Sequence, residues 1–526
     1  MLFRRLFQVL VVFIFTVALI GCSSDDKGAD EEGTENSADA TEDELHVALY
    51  SAPATLDQPM DTGIQSRDIG RLMFETLVTN DSAYKPVPML ADSIDVSEDG
   101  LSYTFKLRQG VEFHNGKEMK AEDVVASMDR WMEKSTITGN IFNDAVWTEE
   151  DEYTVVLQLA KPSSLTLDTL ASSKQAAAIM PKEIVEAAPA EGVEEYIGTG
   201  PFKFVEWKQD QYIHFEKYDE YSALEDEPDG LAGKREALVQ DIYVHIVTDA
   251  STRLAGLKTG EYDIAYQIPN DDYEQIANDE NVEPYPATHG ELMLVYNKGE
   301  GLVTDPKMRQ AINAALDMDE IMLGAVVTED LYWLSPGYMH KDIEAWNSEA
   351  GIEYYNQADP DKAKQLLDEA GYNGETLTII STRDDDVIYN SSVVIQQQLK
   401  EIGIEVELEV YDMPTMFKMR EDLSTWNMFI TGSSVVSTPP QLLALSPTWG
   451  GGVNDDKILE QLSAIETSES QEEAKQIWDD IQQYAWEEHV PVSILGGYSM
   501  FHAASAKVEG FTTFSGAIFW NTKVNK

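Results

Sequence analysis

Cys22 is the only cysteine in a chain of 526 residues. One thiol cannot form an internal disulfide, so packing alone must hold the body of this chain together. The position of the cysteine is as telling as its solitude. Arg4 and Arg5 make a positive start, an apolar run follows over residues 6–20, and Gly21-Cys22-Ser23-Ser24 closes it. A membrane span needs roughly 20 apolar residues, and this run is shorter. It reads as the apolar region of an export signal occupying residues 1–21. An ordinary secretory signal with an incidental cysteine is the competing reading.

The segment Leu19-Ile20-Gly21-Cys22 resembles a lipobox. The resemblance implies that Cys22 is lipidated and becomes the new N-terminus. The body would then sit outside the cytoplasm, on a Gram-positive surface or in a Gram-negative periplasm, held to the membrane by acyl chains only. Residues 22–44 are acidic, rich in small residues and free of aromatics. Such a segment cannot bury enough apolar surface to order itself, so a disordered tether is expected.

Acids outnumber bases 95 to 37, a formal charge of −58. Removing the leader's two arginines makes the balance two units more negative. This excess argues against nucleic acid and anionic headgroups as partners. The acids are scattered, so they read as a solvated surface, and a saline source would screen their repulsion. Hydrophobic residues make up 43% and aromatics 10%, normal values for a globular core.

Elements alternate along the body. Leu45, Val47 and Leu49 predict a first strand. Strands are also expected at 103–107, 153–159, 202–207, 242–247, 292–297, 377–380, 404–410, 428–431 and 492–495. Asn115-Gly116 marks a tight turn. Helices are expected from Glu122-Asp123, over 253–259, from Asp305-Pro306, from Asp359-Pro360 to Gly371, over 391–402, 455–466 and 470–489. Alternating strands and helices predict an α/β fold. No repeat of fixed period is present.

Catalytic signatures are missing. No P-loop, His-Glu-x-x-His or Gly-x-Ser-x-Gly occurs, and the eight histidines are never paired at metal-ligand spacing. Gly198-Thr199-Gly200 lacks a third glycine and runs into Pro201, so it reads as a turn. No catalytic residue, metal or cofactor is expected. A secreted hydrolase built on scattered acids, and an anchored signalling or adhesion module, are the rival classes.

Five blocks in order resemble one family. Phe105-Lys106-Leu107-Arg108-Gln109-Gly110-Val111-Glu112-Phe113-His114-Asn115-Gly116-Lys117 with Ala121-Glu122-Asp123-Val124 is similar to the signature run of the family 5 extracytoplasmic solute-binding proteins of ABC importers for peptides, nickel and related solutes. Gly198-Thr199-Gly200-Pro201-Phe202, Gly260-Glu261-Tyr262-Asp263-Ile264, Asn297 with Asp305-Pro306-Lys307-Met308-Arg309-Gln310-Ala311-Ile312, and Gln397-Gln398-Leu399-Lys400-Glu401-Ile402-Gly403-Ile404 match later blocks. The resemblance implies a type II, cluster C-like binding-protein fold. Lobe I would comprise 45–78, 198–293 and 494–526, an inserted domain 79–197, and lobe II 294–493. It also implies a monomer that captures a peptide or peptide-like solute by hinged closure and passes it to permease and ATPase subunits. An opine, a chelated metal or an oligosaccharide is the alternative solute.

Site residues follow unevenly from that resemblance. Arg383, in the loop after the strand at 377–380, matches the family arginine that grips a ligand carboxylate. Pairing with Asp384, Asp385 or Asp386 is the competing role. Where peptide binders place an Asp-Pro that takes the ligand ammonium, this chain has Thr438-Pro439. Recognition of a free amino terminus is therefore in doubt, unless another acid supplies the charge. Ser433 and Ser434 precede that segment. Tyr50, Ser51, Phe142, His289, Trp426, Trp449 and Tyr498 complete the cleft candidates, and burial in the core is the competing reading of each aromatic.

Overall fold

The computed structural model describes residues 41–452 and 455–525. The leader, Cys22 and most of the acidic segment lie outside the described residues. The α/β expectation holds. One mixed sheet of eleven strands runs through the molecule. Its order is Val406–Tyr411, Leu377–Thr382, Met428–Ser434, Val282–Tyr296, Val492–Ser505, Ile264–Ile268, Glu44–Leu49, Asp241–Ile246, Tyr212–Lys217 and Phe202–Lys208, with Tyr332–Trp333 paired off this path. The alternation read from Leu45, Val47 and Leu49 is real: all three are buried, and their strand pairs in parallel with Ile242 and Val244 facing the same core.

Two strands in the middle are longer than their sequence suggests. The expected strand at 292–297 is the back half of Val282–Tyr296, and the one at 492–495 is the start of Val492–Ser505. Pro284, Pro286 and His289 in the first, and Gly496, Gly497 and His502 in the second, break the apolar pattern that marks a strand. These two pair antiparallel along almost their whole length. The helix expected at 391–402 is Asp386–Glu401, because the Asp385 side chain accepts from the Ile388 N–H at 3.2 Å and starts it earlier. The last long helix ends at Tyr484 and widens into a π-turn over Ala485–His489. Met318–Val326 and Met413–Met419, short helices capped by Asp317 and Asp412, have no counterpart in the sequence reading.

A second sheet of four antiparallel strands, Ala91–Val96, Ser102–Leu107, Thr154–Gln158 and Val146–Asp151, stands apart. The helix Ala121–Lys134 packs on it through Val124, Met128 and Trp131. Asp123 starts this helix while fully buried. Its carboxylate accepts from the Lys120 N–H at 3.0 Å, the Lys182 N–H at 2.8 Å and Lys117 Nζ at 2.6 Å. His114 joins this region to the main sheet. Its Nδ1 accepts from the Gly198 N–H at 3.3 Å and its Nε2 donates to the Gly200 carbonyl at 2.9 Å. Burial pushes its pKa down to about 4, so the ring is neutral.

Candidate functional site

The two long central strands do not pair smoothly. Register shifts fall between Thr288 and Gly290 and between Leu292 and Met293. The first leaves His289 as an extra residue. Gly290 turns there with φ +136°, and a Cβ on it would lie 1.8 Å from the Ser433 carbonyl oxygen. Opposite it, a Cβ on Gly432 would lie 2.4 Å from Tyr498 Oη and 2.9 Å from His289 Nε2. Two glycines thus let the His289 and Tyr498 rings, with centroids 4.8 Å apart, lie over the neighbouring strand.

A cleft opens at this irregularity, with about 890 Å³ of empty space when the part open to solvent is included. Arg67, Tyr266 and His502 line one side, Ser434 and Val435 another, and Ser172 to Lys174 a third. Eight separate stretches of the chain therefore meet here. Asp68 carries the cleft's one lining carboxylate, and it is already used. It accepts from Arg67 Nε at 2.7 Å, Tyr266 Oη at 3.0 Å and the Ala517 N–H at 3.2 Å. Burial raises its pKa, but the Arg67 and Arg71 guanidinium groups outweigh that and hold it below the usual carboxylate range. His502 accepts from the Gln267 N–H at 3.1 Å and stacks on Tyr266. Burial and the nearby Arg67 push both His502 and His289 down to about 4, so both are neutral. Gln267 and Ser515, also in the wall, hold φ values of +44° and +46°, strained conformations that cluster at ligand sites.

A second cavity of about 1070 Å³ adjoins the first. Ile137, Ile141, Val436, Leu442 and Leu443 give it an apolar wall, and Thr62, Ser172, Lys174, Val435 and Val436 line both spaces. No group of three or more His, Cys, Asp or Glu side chains among the described residues could hold a metal. No helix among them is long and apolar enough to cross a membrane.

Residues 85–455 match the model of the bacterial extracellular solute-binding proteins, family 5. The chain belongs to that family. It is 28% identical to the probable peptide ABC transporter periplasmic-binding protein y4tO of Sinorhizobium fredii, over 85% of this chain and 87% of that one. It is 27% identical to the oligopeptide-binding protein AppA of Bacillus subtilis, over 90% of each. Among solved structures, the binding protein AgaA of A. tumefaciens, in complex with agropinic acid, superposes with a TM-score of 0.73 at 26% identity, covering 92% of this chain and 99% of that one. These relatives are binding proteins, not enzymes.

The sequence candidates of this family 5 chain are spread widely. His289 and Ser434 line the first cavity and Thr438 the second. Thr438 is buried and caps the turn Pro439–Gln441. Ser433 faces Gly290 across the strand pair, and Tyr498 is buried beside His289. Tyr50 is held near the cleft, its hydroxyl pushed up to about 12 by burial and Asp68, while Ser51 accepts from Gln65 Nε2 at 2.7 Å. None of the five candidate aromatics lines either space. Phe142 packs on Trp131, while Trp426 and Trp449 both pack on Phe429. Arg383 is exposed and lines neither cavity. It lies over the Tyr389 ring at 4.7 Å and donates to Tyr389 Oη at 2.9 Å.

Arg67 and Lys174 were not among those candidates. A signal for Lys174 exists. Residues 169–182 and 423–454 contain no Asp or Glu, although roughly one residue in five of this chain is acidic. Both stretches reach the shared wall of the two cavities.

Proposed function

We propose that this protein is the solute receptor of an ABC importer, capturing a peptide or peptide-like solute and handing it to a permease. The observation that carries this is the cleft at the bulge of the two central strands, where segments distant in the chain converge on polar and cationic side chains and a larger second cavity adjoins. Family membership and the named peptide-binding relatives support it. In this reading 45–78, 198–293 and 494–526 form one lobe, 294–493 the other, and 79–197 an insert. The two long strands then act as the hinge, with Gly290 and Gly432 absorbing the change in backbone angle on closure. The leader and Cys22 supply a lipid anchor outside the cytoplasm.

Likeness to AgaA, a protein solved with agropinic acid, favours a second reading with a non-peptide solute. Native mass spectrometry of the purified protein, followed by denaturation and identification of the released molecule, decides between them. Small-angle scattering tests closure: the radius of gyration should fall when the solute binds. A protein that captures neither peptides nor opines and shows no compaction overturns the receptor reading, and turnover of an ester or peptide would replace it with a hydrolase.

A further inference from the structure

Lys174 stands where the two cavities join, half-buried, and no hydrogen bond or ion pair among the described residues engages its ammonium. Burial and repulsion from Arg67 both lower its pKa. Arg67 is similarly underused. Its Nε serves Asp68, but Nη1 and Nη2 have no acceptor among the described residues. In a chain with 95 acids against 37 bases, two cations facing one space without a free carboxylate are not a by-product of composition. Much of the wall on the Lys174 side comes from the acid-free stretches 169–182 and 423–454, with Met500 and His502 from a third acid-free stretch, 489–508; Asp68, the one carboxylate in the lining of the first cavity, is already bonded. The neighbouring histidines are neutral and compete for no anion. Beyond the junction the wall turns apolar, with Ile137, Ile141, Leu442 and Leu443. Glu466 at the far end of that cavity already accepts from Asn140 Nδ2 at 3.0 Å.

We infer that the junction is an anion site: Arg67 and Lys174 together grip a carboxylate of the solute, whose apolar part lies in the second cavity. This rests on the receptor reading above and names the class of solute within it, an amphipathic acid that needs no ammonium group at this end. The guanidinium offers two parallel N–H donors and the ammonium a point charge, so a carboxylate can satisfy both. The long-range field of a −58 chain repels an anion, but at physiological salt that field decays over about 8 Å. The two local cations then dominate.

Calorimetric titration with four probes tests this: N-acetyl-Leu-Leu-Leu, its C-terminal amide, free Leu-Leu-Leu, and octanoate. The wild type should bind N-acetyl-Leu-Leu-Leu at least tenfold more tightly than the amide. Lys174→Met should lose tenfold or more for the acid and less than twofold for the amide. Its melting temperature without ligand should be unchanged or raised, since it removes an unpaired charge. Arg67→Gln should shrink the acid–amide ratio in the same way. Octanoate binding alone, lost in Lys174→Met, supports the anion site with a non-peptide solute. Equal affinity for acid and amide in the wild type, or an unchanged ratio in Lys174→Met, overturns the anion site and leaves the receptor role intact. Binding of none of the four overturns the anion site, while the receptor reading falls only if opines are also refused and no compaction occurs.

Discussion

Arg130→Met should be among the most damaging single changes in this protein outside the cleft. Asp57 follows the first strand and is fully buried, and Arg130 lies on the helix Ala121–Lys134 with 6% of its side chain exposed. Arg130 Nη1 donates to Asp57 Oδ1 at 2.9 Å, Nη2 donates to Oδ2, and the Val193 N–H donates to Oδ2 at 2.9 Å. The methionine keeps the aliphatic stem and removes the charge. It leaves the carboxylate one donor instead of three, without access to water. Breaking a buried pair from one side costs about 3–5 kcal/mol. Asp57→Ala strands the guanidinium and orphans the Val193 N–H as well, which adds about 1–3 kcal/mol. If orphaned charge dominates both losses, removing both partners cannot cost their sum. The double variant should recover at least about 2 kcal/mol relative to additivity. Urea unfolding followed by circular dichroism and by tryptophan fluorescence reads this. With a slope near about 3 kcal/mol per molar, each single change should lower the midpoint by about 1 M or more. Additive single losses, or an Arg130→Met midpoint that moves by less than a third of that, would refute the reasoning.

Other consequences are simpler to read. Cys22→Ser should move the protein from the membrane pellet to the soluble fraction without changing solute affinity; retention in the pellet would show that the anchor is misassigned. Arg383→Ala should weaken carboxylate binding by about 2–5 kcal/mol if closure draws Arg383 off Tyr389 onto the ligand, and calorimetry showing affinity within twofold of wild type would leave it a surface arginine. His502 binds its proton about 2.5 pH units less readily than an unfolded histidine of 6.5. The unfolded state therefore takes up more protons between pH 6.5 and 4, and stability falls as pH drops through that window. The loss is on the order of 3 kcal/mol for this one fully buried ring, and His502→Gln should flatten that part of the urea-midpoint profile; an unchanged slope would contradict the assignment.

How much of this was legible depended on local chemistry. Asp305-Pro306 and Asp359-Pro360 started helices as read, because an Asx cap and a proline at the first helical position act within four residues. Gly260 and Gly371 ended helices in the left-handed conformation for the same reason. The two central strands were half missed, since tertiary pairing on both sides outweighs the prolines and glycines they contain. The cleft was the hardest to see. His289 and Ser434 were named, yet Arg67 and Lys174 were not, because nothing near them in sequence resembles a ligand motif. What marks Lys174 is the absence of competing acid, a property of a long stretch of chain and not of a spacing, while Arg67 is placed only by the fold.

The blocks that carry the family resemblance do a different job from the cleft. His114, from the first block, is bonded to both glycines of the second. Asp123 ties its helix start to residues 117 and 182. Arg309 is buried and donates to the carbonyls of Val303, Thr304, His489 and Val490. Asn297 donates to those of Leu423 and Trp426. Each is a buried or half-buried polar group whose bonds include backbone of another segment, the kind of joint that fails badly when one partner is removed. None of the four lines either cavity. The motifs therefore specify how the segments are fastened, while the cleft proposed for the solute is lined mostly by stretches that carry no motif. A fold fastened in this way can keep its architecture and change what it binds by altering residues such as Lys174, whose side chain bonds to nothing else among the described residues.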